Sequence, residues 1–300
     1  MLLGAASAVV VITGMMAVSW LIGPVFLALI IVIAISPIQG WARRHGWPGW
    51  LSTLLLVAAV YAVIVALVLT LVVSVSQLVT VLPTYAKQAQ DLTATLTKTL
   101  QKFGIDPSAA KLTASSADLS KLAGYATSLL SGVSSVLVSV VFLLALLLFL
   151  SAEAGGASVR MAAIAADRKP VAAALQDFAR GTRSYLMVTT VFGFVVAVLD
   201  TIGLAVLGVP LAVLWGVLAF ITNYIPNVGF ILGLIPPALL GLLAGGWPMF
   251  IWVIVIYCVL NMVIQSLVQP RFVGDSVGLS ATVTFVALIF WAWVLGGLGA

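Results

Sequence analysis

Charge is what this chain lacks. Asp, Glu, Lys and Arg make up 7% of its 300 residues, against roughly 25% in ordinary soluble domains. From Thr201 to Pro270 there is none, the run being bounded by Asp200 and Arg271. Such sparse charge beside 63% hydrophobic residues excludes disorder and nucleic-acid binding as main readings. A single cysteine, Cys258, lies in an apolar run, which excludes a disulfide within the chain and a Cys-based metal site. The single histidine, His45, stands beside Arg43 and Arg44; it makes a poor general base, and no metal cluster is expected. No Gly-x-x-x-x-Gly-Lys loop or His-Glu-x-x-His helix occurs, so neither an ATP engine nor a zinc-peptidase site is expected. No enzyme and no cofactor are expected.

What is there is apolar helix. At 1.5 Å per residue, the uncharged run of about 70 residues exceeds three bilayer crossings. Leu2–Ile22 is long enough to span, Gly23-Pro24 is read as a break, and Pro24–Ile38 as a second arm. The N-terminus lacks a basic n-region and its apolar sequence runs on to Ile38, which does not suit a cleavable signal peptide. Further spans are expected at 51–81, 130–150, 185–207, 249–268 and 281–297, with shorter apolar arms at 211–225 and 229–244. The fold class is all-α: a polytopic membrane helical bundle with a broken or re-entrant helix pair and an extramembrane helical hairpin. The divisions are 1–82, N-terminal transmembrane helices; 83–129, an extramembrane amphipathic segment; 130–152, a transmembrane helix; 153–184, a cytoplasmic amphipathic segment; and 185–300, the C-terminal transmembrane region.

In 83–125, leucines at Leu92, Leu96 and Leu100 recur at helical spacing between lysines and aspartates, as in an amphipathic surface helix. Gly104-Ile105-Asp106-Pro107 reads as the turn of a hairpin, with Asp106 or Ser108 as cap. Pro170 suits a first helical turn, and the helix beginning there is expected to run straight into the span from Tyr185. Arg43, Arg44, the basic residues of 153–184 and Arg271 fall on one side, which the positive-inside rule makes cytoplasmic.

Polar residues inside such apolar sequence are the candidate functional groups. Asn223-Tyr224-Ile225-Pro226-Asn227-Val228-Gly229 interrupts the run. Pro226 removes a donor and Gly229 relaxes the backbone, and broken backbone at membrane depth survives only where protein buries it or water reaches it. The competing reading is a plain interhelix turn. Asn261, Gln265 and Gln269 recur every four residues on one helix face, a polar seam or simple interhelical hydrogen bonding. Asp200 is the one acid inside a span. An intramembrane carboxylate is by default functional, here as a coupling-ion site; alternatively it sits hydrated near the outer end of its helix.

From Gly208 onward, these interruptions resemble the autoinducer-2 exporter-like (PerM-like) permease family. The string is Gly208-Val209-Pro210, Leu214-Trp215-Gly216, Asn223 to Gly229, Ile235-Pro236-Pro237, Gln269-Pro270-Arg271, Gly274, Gly278-Leu279-Ser280 and Trp291-x-Trp293-x-Leu295-Gly296-x-x-Gly299. The resemblance implies a multi-pass permease of the bacterial inner membrane that exports a small polar solute such as autoinducer-2. It also implies a homo-oligomer, a pentamer being one candidate. Other family members are linked to sodium/proton exchange, so cation/proton antiport is an alternative, and a non-transporting membrane scaffold a third. The expected partners are lipid and a small solute or cation, with no nucleic acid. The family continues beyond the Gly299 position with a further apolar helix and a basic tail, so 185–300 is expected to be cut short.

The charge pattern generates a topology test. With His45→Cys or Lys98→Cys in a Cys258→Ser background, a membrane-impermeant maleimide should label position 98 in intact cells. Position 45 should react only after the membrane is opened; the reverse pattern overturns the orientation.

Overall fold

The structure, a computed structural model, describes residues 2–102, 119–154, 156–225, 228–269, 281–296 and 299. Among the described residues the regular structure is entirely helical. In chain order the helices are α1 (Leu2–Ala17), α2 (Ser19–Arg44), α3 (Gly49–Val81), α4 (Ala86–Lys102), α5 (Leu119–Ala154), α6 (Ala157–Asp167), α7 (Lys169–Val206), α8 (Ala212–Thr222), α9 (Val228–Asn261) and α10 (Ala281–Leu295). A 3₁₀ turn, Leu82–Tyr85, follows α3, and a π-helical turn, Met262–Val268, continues α9. Among the described residues five stretches have the length and apolarity of a membrane span, Ser19–Ala42, Gly49–Tyr85, Leu137–Ala154, Lys169–Val206 and Gly229–Gln265, the last of them interrupted at Gly246. The chain is an all-α, multi-pass membrane protein.

Several expectations meet the structure directly. Lys169 and Pro170 open α7, which runs unbroken through the basic segment to Val206, because proline's missing N–H costs nothing in a first turn. The first break is displaced: α1 ends at Ala17, and α2 continues through both Pro24 and Pro37. Pro24 lies early in α2, where it removes one backbone bond rather than ending the helix. The first arm of the 83–125 segment is α4, whereas residues from Leu119 already belong to the long α5. The turn at 104–107 and its caps lie outside the described residues, as does Gln269-Pro270-Arg271 beyond Gln269.

The chain divides into two compact units. One comprises Met1–Val65, Leu137–Thr189 and Arg271–Ala300, the other Ala66–Val136 and Thr190–Pro270. In the first unit Ala28, Val32, Leu143 and Leu147 form the core, with Val60, Tyr61 and Ile64 against them. The Tyr61 hydroxyl donates to the Leu144 carbonyl. Pro37 cannot donate to the carbonyl four residues back, that of Ile33. Side chains replace the missing donor. Ser36 Oγ donates to Ile33 O at 2.9 Å, Arg183 Nε reaches the same oxygen at 3.3 Å, and Arg183 Nη2 donates to Ser36 Oγ at 2.7 Å. The Asp177–Arg180 pair, 3.5 Å apart, is exposed at both ends and contributes little.

The second unit carries the broken helices. Gly208 and Leu211 adopt positive φ, turning the chain out of α7, and Trp215 Nε1 closes the turn on the Pro210 carbonyl at 2.9 Å. Helix α8 rises only about 16 Å, half the hydrocarbon thickness, so it does not cross alone. Helix α9 is a hairpin of two arms. Gly246 is non-helical at φ 68°, ψ −162°, a conformation in which glycine alone is unstrained. A Cβ on Gly241 would lie 3.3 Å from Val253 Cγ2; residues so far apart in an unbroken helix would stand about 18 Å apart. The arms and α8 enclose a core of Leu204, Leu214, Trp215, Ala238, Leu240, Val253 and Tyr257.

Where α9 begins, Gly229 lies so close to α8 that a Cβ would overlap the Thr222 carbonyl oxygen. Gly229→Ala should therefore cost about 1–3 kcal/mol of stability, read as a lower thermal midpoint in detergent. Gly181, in α7 with nothing within 4 Å of its Cβ direction, should accept alanine with no loss or a gain of about 0.5–1 kcal/mol. Equal effects at the two positions would contradict the close approach.

Candidate functional site

The charge-free run folds around one small polar cavity within the second unit. Its wall takes Val196 and Asp200 from α7, Ala219 and Thr222 from α8, Asn223 from the break, Gly229, Phe230, Gly233, Tyr257 and Asn261 from α9, and Gln265 from the π turn. Five of the nine candidate residues are thereby brought together: Asp200, Asn223, Gly229, Asn261 and Gln265. Tyr224 points elsewhere, its hydroxyl 2.8 Å from Thr190 Oγ1. Pro226 and Asn227 lie outside the described residues.

Gln269 is not on the cavity wall. The spacing of four residues that put it in line with Gln265 assumes α geometry. From Met262 the backbone is π-helical, and the Gln269 N–H bonds Ile264 O at 2.7 Å, five residues back. The wider turn rotates every later residue off the original face.

A chain of amides runs along one wall. Asn261 Nδ2 donates to Tyr257 O at 2.8 Å, and Gln265 Nε2 donates both to Asn261 Oδ1 at 2.7 Å and to Asn223 Oδ1 at 2.6 Å. Gln265 thus joins the broken segment to the π turn. Opposite them Asp200 is 0% exposed. Among the described residues neither of its carboxylate oxygens, nor the Tyr257 hydroxyl, has a hydrogen-bond partner. The Asp200 carboxyl and the Tyr257 side chain line the same cavity. Buried acceptors without donors are costly, and a carboxylate stripped of water is tolerated only with a proton or a cation. The arrangement can therefore receive a small donor or positive group.

The cavity's free volume is about 10 Å³, room for a single water. A solute of several heavy atoms enters only if the walls part.

Tyr257 and Thr222 were not singled out from sequence. Tyr257 stands one turn before Asn261, so the polar face in fact reads Tyr257, Asn261, Gln265, a signal available in the spacing. Thr222 ends α8 with its hydroxyl folded back on the Leu218 carbonyl at 2.9 Å, and nothing in the sequence separates it from an ordinary helical threonine. Among the described residues no cluster of metal-ligating side chains occurs.

The family described as "AI-2E family transporter" matches residues 6–300. The chain belongs to that family. Its similarity to curated proteins extends over the same length. The AI-2 transport protein TqsA of Escherichia coli (strain K12) is 31% identical over 291 residues, covering 97% of this chain and 84% of TqsA. YhhT of the same organism is 29% identical over 298 residues, covering 99% and 85%. As a member of a family of transporters, the chain is a multi-pass membrane protein in which a buried polar cavity between broken helices is the natural place to seek a solute.

If Asp200 serves a ligand rather than the fold, its removal should stabilise the protein. Asp200→Leu should raise the thermal midpoint in detergent, by the equivalent of about 1–3 kcal/mol, by exchanging an unpartnered buried carboxylate for an apolar side chain. A lowered midpoint would mean that Asp200 has a structural partner.

Proposed function

We propose that this AI-2E family member is a secondary permease of the bacterial inner membrane that exports a small polar solute such as autoinducer-2, along a path through the cavity lined by Asp200, Asn223, Asn261 and Gln265. The observation that carries this reading is the meeting of polar side chains at the interrupted backbone, inside an otherwise uncharged helical region. Discontinuous helices supply binding groups without requiring a charge at every contact. The name of TqsA supports autoinducer-2 as the first solute to test. Pro226, Asn227 and Tyr224, beside the same break, belong to its approach, and the working form is a homo-oligomer, with a pentamer the first stoichiometry to test.

One observation favours a second reading. Asp200, fully buried and without a hydrogen-bond donor among the described residues, has the chemistry of a proton or cation site, as a cation/proton antiporter requires. In that reading the amides ligate the ion and Asp200 carries the exchanged charge.

Flux in proteoliposomes separates the two. Asp200→Asn and Asn261→Ala should each lower autoinducer-2 movement by about tenfold or more, the scale set by loss of a buried polar contact. If instead a sodium gradient drives proton movement that Asp200→Asn abolishes, while autoinducer-2 flux is nil, the second reading replaces the first. Wild-type flux in both variants would remove the cavity from the path.

A further inference from the structure

We infer that Gln265 is the gate of the cavity, holding it shut by tying the break at Asn223 to the π turn; this inference rests on the cavity being the solute path proposed above. The walls differ in how far they can yield. Asp200, Thr222 and Tyr257 belong to α-helical stretches, whose backbone ladders resist local change. Asn223 begins the interruption between α8 and α9, and Gln265 sits in the π turn Met262–Val268. Asn223, the last residue of α8's ladder, keeps helical φ −60°, ψ −19° and its N–H bond to Ala219 O, so Gln265 is the wall position whose backbone departs from α geometry. The contact between them is Gln265 Nε2 to Asn223 Oδ1 at 2.6 Å. The same nitrogen donates to Asn261 Oδ1 at 2.7 Å, so both amide protons are engaged while the cavity is closed.

A free volume of about 10 Å³ admits nothing larger than a water. Passage therefore requires two walls to separate, and the Gln265–Asn223 contact is the one that a change in the π turn would release. The π turn supplies the movement. It holds one more residue per turn of hydrogen bonding than an α-helix, with the Gln269 N–H bonded five residues back. Shifting that register toward α geometry rotates Gln265 about the helix axis without unfolding the helix. The rotation withdraws its amide from Asn223 and frees two donors at the cavity wall. The gate closes again when the π register returns and the amides re-pair.

The test reads access to the cavity without a solute, so failure of the gate and failure of the permease reading are distinguishable. Thr222, 8% exposed and on the cavity wall, is changed to cysteine in a Cys258→Ser background. The rate of its modification by a small methanethiosulfonate reagent is then measured in membranes. Gln265→Leu retains the bulk and removes both donors; Asn223→Ala breaks the same bond from the other end. Each should raise the rate by about tenfold, the factor expected of one lost hydrogen bond in an opening equilibrium. The double variant should be no faster than Gln265→Leu alone, since the bond that Asn223→Ala breaks is already absent there. A variant that does not run as a single species in detergent is replaced by its partner from the other end of the bond. Unchanged rates in either variant, or rate increases that multiply in the double variant, would overturn the gate.

Discussion

Hydrocarbon offers no partner to a bare peptide group, and the rest of this structure follows from that constraint. Helices satisfy it wherever they are continuous, so each interruption needs a local remedy. At Gly208–Leu211 the turn is closed by the indole of Trp215 on the Pro210 carbonyl. After α8, the N–H of Asn223 continues to bond Ala219 O, and that of Ile225 bonds Thr222 O. In the π turn the ladder is stretched by one residue rather than broken. The polar cavity lies where two of these remedies meet, so the irregular backbone and the functional chemistry are one feature.

Against this economy, Asp200 stands out as a local loss. Its carboxylate is removed from water without a donor among the described residues, and the apolar cluster that includes Leu204, Val253 and Tyr257 packs nearby in the same unit. Burial of that cluster offsets the loss. A helix can carry an ill-satisfied group if its neighbours are well packed, which is the usual relation between a site and its scaffold. The Tyr257 ring belongs to the core while its hydroxyl lies on the cavity wall, so one residue serves both.

Much of the architecture was legible because proline, glycine and charge punctuate it. Pro170 announced the start of α7, the gap between the arms 229–244 and 249–268 the fold-back of α9, and Asn223–Gly229 the break. The same signals misled at Gly23-Pro24, since proline near the start of a helix is tolerated and the junction at Val18 has no special composition. The site was legible in part. Asn261 and Gln265 align by α-helical spacing, but Gln269 does not, because a π turn leaves no mark in residue type. Asp200 read either as a coupling-ion site or as a residue hydrated near the end of its helix. Its position along α7 is as expected, but exposure is set by what packs over it, here side chains of α8, α9 and the π turn that only the fold brings there.

The remedy at Pro37 has a consequence for the order in which the protein is made. The Arg183 guanidinium that reaches the Ile33 carbonyl lies 150 residues further along the chain. At a synthesis rate of about 5–20 residues per second, roughly 7–30 s separate the two. Through that interval α2 has the Ser36 hydroxyl, three residues from the unpaired oxygen, as its own donor. The serine therefore serves that oxygen before Arg183 exists, and keeps its bond afterwards. Arg183 then takes up both groups and converts a local expedient into a tie between segments made at different times.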